Sequence, residues 1–380
     1  MNALGALWWE RLPSLGSRFS RMLGTALGEG IYLSAWPRIA AFAPAGALVM
    51  GILAGWWRFG GEQVFTQSEL IIAMALGLGL VAAQLGVVFT LGYALGDLLL
   101  WRHPGFPVYD FTDRVHLFGG LLVVYAALAM LAAGVPLAVR ALRAGAPLPF
   151  ERGPDVRVVI DVLLGAVFSA GLIWLYVQAL PMLIRPLFTW QGSVPSVESV
   201  SPAQQGTWMF VLVAAMVGGC RVLAEYGACV LDPGGIERRA AALDALQPSF
   251  WEMLPVALRV PLTSMFATFL LGGLLSTWIE ATLLLAGLLA INFARVLLPP
   301  RIPAWPRTME RIPVVFRLPA ALGLSYLVAS WIVSGRLGGQ SFLPLIGGFL
   351  VGLLSVALWF PSDEAGREAR AREAVAEGGP

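Results

Sequence analysis

The sequence predicts an all-α fold, a polytopic helical membrane bundle of about nine spans with an N-terminal amphipathic interfacial helix. Three observations carry this expectation. Of 380 residues, 58% are hydrophobic and only 13% are charged, about half the charged share of a soluble domain. The mean hydropathy is +0.77. Apolar stretches near the roughly 20 residues needed to cross a bilayer recur along the chain. These proportions exclude a soluble enzyme, a disordered tail, a disulfide scaffold and a collagen-like chain.

Residues 1–37 read as an amphipathic segment. Trp8, Trp9, Leu12, Leu15, Phe19, Met22 and Leu23 recur at helical spacing with Arg11, Arg18 and Arg21 between them. That pattern sets aromatics at headgroup depth and arginines toward phosphates, or packs the segment on another subunit or loop. The apolar run at 4–9 is too short for a signal-peptide core and is interrupted by Glu10 and Arg11.

Residues 38–360 form the expected transmembrane domain, and 361–380 a charged tail. The first apolar segment, 39–57, ends in a Trp56, Trp57, Arg58 interface anchor. The second, 70–101, would measure about 48 Å as one helix. That exceeds the bilayer, so it projects beyond the membrane or breaks near its glycines. The third covers 115–139 and the fourth 158–184. The fifth, 207–231, stops at Asp232 and Pro233. Residues 255–298 are about twice the length of one crossing, so the chain turns near 272–277 and gives the sixth and seventh spans. The eighth covers 313–334 and the ninth 342–360.

All 25 basic residues are arginine, which reads first as the codon usage of a GC-rich genome and at a few sites as a fork for lipid phosphate. Arginine clusters mark cytoplasmic loops. They place 140–157, the stretch around Arg238 and Arg239, the linker with Arg301, Arg307 and Arg311, and the tail on that side. The arginine-free stretch 189–206 falls outside. Nine crossings then leave the N-terminal arginines outside as well. Either that segment is external, or one of the first two segments does not cross once.

Ionisable groups at membrane depth are the functional candidates, because burying one costs several kcal/mol unless it is paired. Arg221 and Glu225 share a helical face at i and i+4, within pairing reach. The alternative is a helix that ends near Cys220 and lets both groups reach the interface. Glu280 lies near the expected turn before the seventh span, beside Trp278. Asn292 farther along would act as interhelical glue. Asp97 ends the long second segment, and Asp161 follows Arg157 by four residues. Gln84 and Gln178 are the other strongly polar side chains deep in segments. The loop at 101–116 concentrates His103, Asp110, Asp113 and His116 among aromatics, a candidate external binding lip.

Gly51-x-x-x-Gly55, Gly92-x-x-x-Gly96 and Gly348-x-x-x-Gly352 let helices approach closely. Residues 236–246 read as an amphipathic helix of the kind permease subunits present to a motor protein. Enzyme readings fall away one by one. Ala94 to Asp97 misses the first glycine of the intramembrane aspartyl protease motif. Two histidines suit neither several haems nor a serine protease, and no P-loop or dinucleotide fingerprint occurs. Cys220 and Cys229 imply no disulfide framework or thiolate metal site. No cofactor is implied, and a net charge of +2 argues against nucleic acid.

The expected partners are the lipid bilayer, with other membrane subunits or a cytoplasmic partner as candidates. The leading expectation is a transport or permease-type component of a bacterial inner membrane, with Arg221, Glu225 and Glu280 lining or bracing the path. A structural or assembly subunit of a membrane complex is the alternative, and a lipid-modifying enzyme built on the 101–116 loop a third.

Overall fold

A computed structural model describes residues 3–57, 64–99, 111–145, 154–189, 206–232, 234, 254–270, 278–302, 304–334 and 343–360. Among them every regular element is helical. The chain divides into two compact units, the first formed by 1–144 and 148–253, the second by 254–380 with 145–147. Segments 236–246, 101–110 and 361–380, each given a role above, lie outside the described residues.

The first unit opens on short pieces rather than one long helix. They are α1 (Ala3–Ala6), a π-type turn (Leu7–Arg11), α2 (Leu12–Phe19), α3 (Arg21–Gly28) and a 3-10 turn (Ile31–Ala35). Leu15, Phe19 and Met22 stay exposed. Trp9, expected at headgroup depth, instead turns inward at 1% exposure. Its indole nitrogen donates 2.9 Å to the Ala40 carbonyl. Part of the segment's apolar face therefore packs on protein.

Then follow α4 (Pro37–Trp57), α5 (Val64–Val81), α6 (Ala83–Leu99), α7 (Phe111–Gly145), α8 (Pro154–Thr189) and α9 (Thr207–Leu231). The second unit contains α10 (Val256–Leu270), α11 (Trp278–Arg301), α12 (Ala304–Arg311), α13 (Val314–Ser334) and α14 (Leu343–Trp359). The expected turn at 272–277 falls between α10 and α11, outside the described residues. Four stretches, Pro37–Trp56, Val156–Gln178, Thr207–Leu231 and Trp278–Leu298, are long and apolar enough to cross a membrane. Ile71–Val81, Val256–Thr268 and Ile346–Trp359 are shorter apolar helices. The exposed residues on α9, among them Trp208, Met209, Leu212 and Met216, form an apolar surface that suits hydrocarbon and not water. These helices point to a protein embedded in a membrane.

The overlong second segment is resolved by a break at Ala82, not at a glycine. In one continuous helix residues 75 and 86 would lie about 16 Å apart. Instead a Cβ placed on Gly86 would stand 2.8 Å from the Ala75 carbonyl oxygen and 2.8 Å from the Gly79 Cα. α6 therefore folds back along α5. α4 and α6 run in the same direction, as the contacts of Gly51 with Phe89 and of Gly55 with Tyr93 and Asp97 establish. Gly92 and Gly96 meet the Leu48 and Ile52 carbonyls in return. The two Gly-x-x-x-Gly motifs thus face one another inside one chain, where any side chain would hold the backbones apart.

The second unit is built around Leu284, Leu288 and Ile346. α13 packs on α14, and the Ser325 hydroxyl donates 3.2 Å to the Gly352 carbonyl.

Gly51→Leu or Gly92→Leu should destabilise the protein by about 1–3 kcal/mol or more, because the side chain would enter an occupied backbone contact. Gly77→Ala, with open space around it, should be neutral or gain up to about 1 kcal/mol. Thermal melts in detergent distinguish the two; equal melting for Gly51→Leu and wild type would remove the packing account.

Candidate functional site

A helix broken at Ala82 leaves carbonyls at the end of α5 and amides at the start of α6 without intrahelical partners. Ala82 is completely buried, so water cannot supply them and protein groups must. The Tyr32 hydroxyl donates 2.6 Å to the Val81 carbonyl. Arg221 Nη1 donates to the Leu80 carbonyl at 3.3 Å. The Ala83 amide donates 2.6 Å to Glu29 Oε2. A cation on the C-terminal end of α5 and a carboxylate on the N-terminal end of α6 both match the helix dipoles. Gln84, in the first turn of α6, donates 2.5 Å from its amide to the Trp8 carbonyl.

The same groups begin a chain of four charges. Arg221 Nη2 pairs with Glu29 Oε1. Arg221 Nε donates 3.0 Å to Glu225 Oε1, and Arg143 Nη1 donates 2.7 Å to Glu225 Oε2. Side-chain exposure grades along it, from 1% at Glu29 and 4% at Arg221 to 26% at Glu225 and 14% at Arg143. Two acids and two arginines sum to zero, which makes the burial tolerable. Burial pushes the Tyr32 phenol well above its ordinary range, with Arg221 pulling it down and Glu29 and Glu225 adding to the rise. The phenol therefore stays protonated and keeps donating.

Arg221 and Glu225 meet as their spacing predicted, and α9 continues past Cys220 to Leu231. Arg221 braces a turn; each of its three nitrogens is engaged by protein. Glu29, Tyr32 and Arg143 were not anticipated. Glu29 sits in a segment whose periodicity drew attention to its apolar and arginine residues. Its flanking glycines were a signal, since Gly30 adopts φ 97° and a Cβ there would collide with Ala82.

Other candidates have partners of their own. Asp97 accepts a hydrogen bond from the Tyr125 hydroxyl, whose ring meets Tyr93 edge-on at 5.9 Å. Asp161 accepts from the Tyr226 hydroxyl at 2.5 Å. In the second unit Glu280 is buried at 3% exposure in the first turn of α11. Asn292 donates 3.1 Å to the Ser264 hydroxyl across α10 and α11, the interhelical contact expected of it. Gln178 is exposed, whereas Gln84 is fully buried. His103 and Asp110 lie outside the described residues. Asp113 and His116 fall in the first turns of α7, with side chains outside the description. Both cysteine thiols are free and exposed. Among the described residues no three His, Cys, Asp or Glu side chains gather into a metal site.

No protein-family model matches the chain, and no curated protein or solved structure does either. The functional reading rests on the residues themselves.

Arg221→Met should cost about 3–5 kcal/mol by stranding a buried carboxylate. Adding Glu29→Gln should recover part of that loss, giving a favourable coupling in a double-mutant cycle of unfolding in detergent. Additive effects would mean that the pair is not coupled. Asn292→Ala should cost about 0.6 kcal/mol, the average of such intramembrane hydrogen bonds.

Proposed function

We propose that the chain is a transport or permease-type component of a bacterial inner membrane, and that its N-terminal segment, residues 3–36, is a cap over one end of the first unit. The observation that supports this is the four-charge network tying Glu29 of the cap to the α5–α6 turn. A purely structural closure would be at least as stable with apolar packing. Charges that are individually costly and collectively neutral fit a closure that has to come undone. A static assembly subunit is the competing reading.

The fold-back at Ala82 also favours a topology. Counting α5 and α6 as separate crossings turns the nine spans into ten, through α4 to α11, α13 and α14. Ten crossings put both termini on one side. The N-terminal arginines then join every other arginine cluster in the cytoplasm, and the conflict left by nine spans disappears. The exposed row Leu15, Phe19 and Met22 with Arg18 then faces the inner-leaflet headgroups, the interfacial role expected of this segment.

Two measurements test the proposal. An alkaline phosphatase fusion after Gly60 should be active with ten crossings and inactive with nine. Thr90→Cys, a buried α6 position, is labelled in a background with Cys220 and Cys229 changed to serine. A permease should allow an impermeant maleimide to reach it from either face of oriented vesicles. Protection from both faces would overturn the transport reading in favour of the assembly subunit.

A further inference from the structure

We propose that the end of the second unit where α12 meets Arg317 is a binding site for an anionic phospholipid, whose phosphate is received by the Arg317 guanidinium. The site belongs to the leaflet that α12 lies on, and it requires a membrane-embedded chain but not a transport role.

The local sequence supplies the charge. Residues 299–317 hold Arg301, Arg307, Arg311 and Arg317 against a single acid, Glu310. The chain leaves α11 at Arg301, forms α12 and enters α13 at Val314. Two contacts tie these pieces to the C-terminal end of α14. The Trp305 indole nitrogen donates 3.0 Å to the Leu358 carbonyl, one of the last carbonyls of that helix. The Arg317 guanidinium carbon lies 5.4 Å from the centre of the Phe360 ring. On α12, Trp305 and Met309, four residues apart, are half-buried, whereas Thr308 and Arg311 are exposed. One face of the helix therefore rests on protein while the other looks outward. Leu297, Ile302 and Phe316 add exposed apolar surface at the same end of the unit.

Arg317 is the cation that the protein leaves unsatisfied. Among the described residues it has no ion-pair partner, unlike Arg143 and Arg221. Its Nε is closed off from water and has no hydrogen-bond acceptor. Phe360 steadies the guanidinium through its ring face but takes up none of its charge. The position is also unfavourable for a lone cation. Arg317 is the fourth residue of α13, at the positive end of the helix dipole, and the first turn holds no acid. An anion set against the guanidinium corrects both faults. Phosphate suits the place, because its oxygens match the planar fork and a helix N-terminus attracts it. A soluble phosphate would gain only these contacts. A phospholipid also lays its chains over Leu297, Ile302 and Phe316 and keeps its headgroup level with Trp305 and the arginines.

The test is native mass spectrometry of the full chain released from detergent micelles, titrated with phosphatidylglycerol or with phosphatidylcholine of the same acyl chains. The first phosphatidylglycerol should bind about fivefold more tightly than the first phosphatidylcholine, the worth of one arginine at an anionic surface. Arg317→Gln should erase that preference. Arg317→Lys keeps the charge without the fork and should fall between the two, which secures the assignment if Arg317→Gln does not fold. Arg18→Gln removes an exposed arginine of the first unit and should keep the wild-type preference. Millimolar inorganic phosphate should leave the lipid-bound population unchanged. Equal binding of the two lipids, a preference that survives in Arg317→Gln, an undiminished one in Arg317→Lys, or an equal loss in Arg18→Gln would each overturn the proposal. Displacement of the lipid by inorganic phosphate would overturn it in favour of a soluble anion. The labelling of Thr90→Cys reports on transport separately, so either reading can fail without the other.

Discussion

Backbone polar groups at the Ala82 turn need partners, and the first unit is organised by how it provides them. Neither lipid tails nor apolar side chains can hydrogen-bond a free carbonyl or amide. Arg221, Tyr32 and Glu29 do so from two separate stretches of chain. With those partners α6 can lie against both α5 and α4. Without them the tight reversal would expose several unmet groups at once, each costing about 1–3 kcal/mol. The close glycine contacts of α4 with α6 depend in turn on α6 lying where the turn delivers it.

Meeting a backbone requirement with charges brings a second requirement, because each charge needs an opposite. Glu29 calls for Arg221, and Arg221 has fork capacity left for Glu225 and the Leu80 carbonyl. Glu225, nearer to solvent, pairs with Arg143. The chain of pairs ends where water can share the load. This explains why α7, α9 and the N-terminal segment converge on one turn although apolar packing alone would have no reason to choose it.

Much of this was legible in the sequence, to the extent that interactions are local. The helical spacing of Arg221 and Glu225 identified a real pair, and the length of the second apolar segment left either a projection beyond the membrane or a break. The glycine motifs were visible, but not that two of them oppose each other in parallel helices, since no motif names its partner. The position of the break was hidden because Ala82 and Ala83 are good helix formers. Gly30 packs against Ala82 from another segment, and the groups that satisfy the broken ends, Tyr32, Glu29 and Arg221, are likewise distant in sequence. Glu29 was missed for the same reason, as its guanidinium lies 192 residues further along the chain.

That separation has a consequence for biosynthesis. The N-terminal segment is synthesised before α5 and α6, yet the arginine that neutralises Glu29 arrives only with α9. Until then the nascent chain holds an uncompensated acid and a turn with an unfilled carbonyl. The first unit therefore cannot reach its final state during the synthesis of its early helices. A chain truncated before residue 221 would leave Glu29 without its guanidinium and the Leu80 carbonyl without that donor.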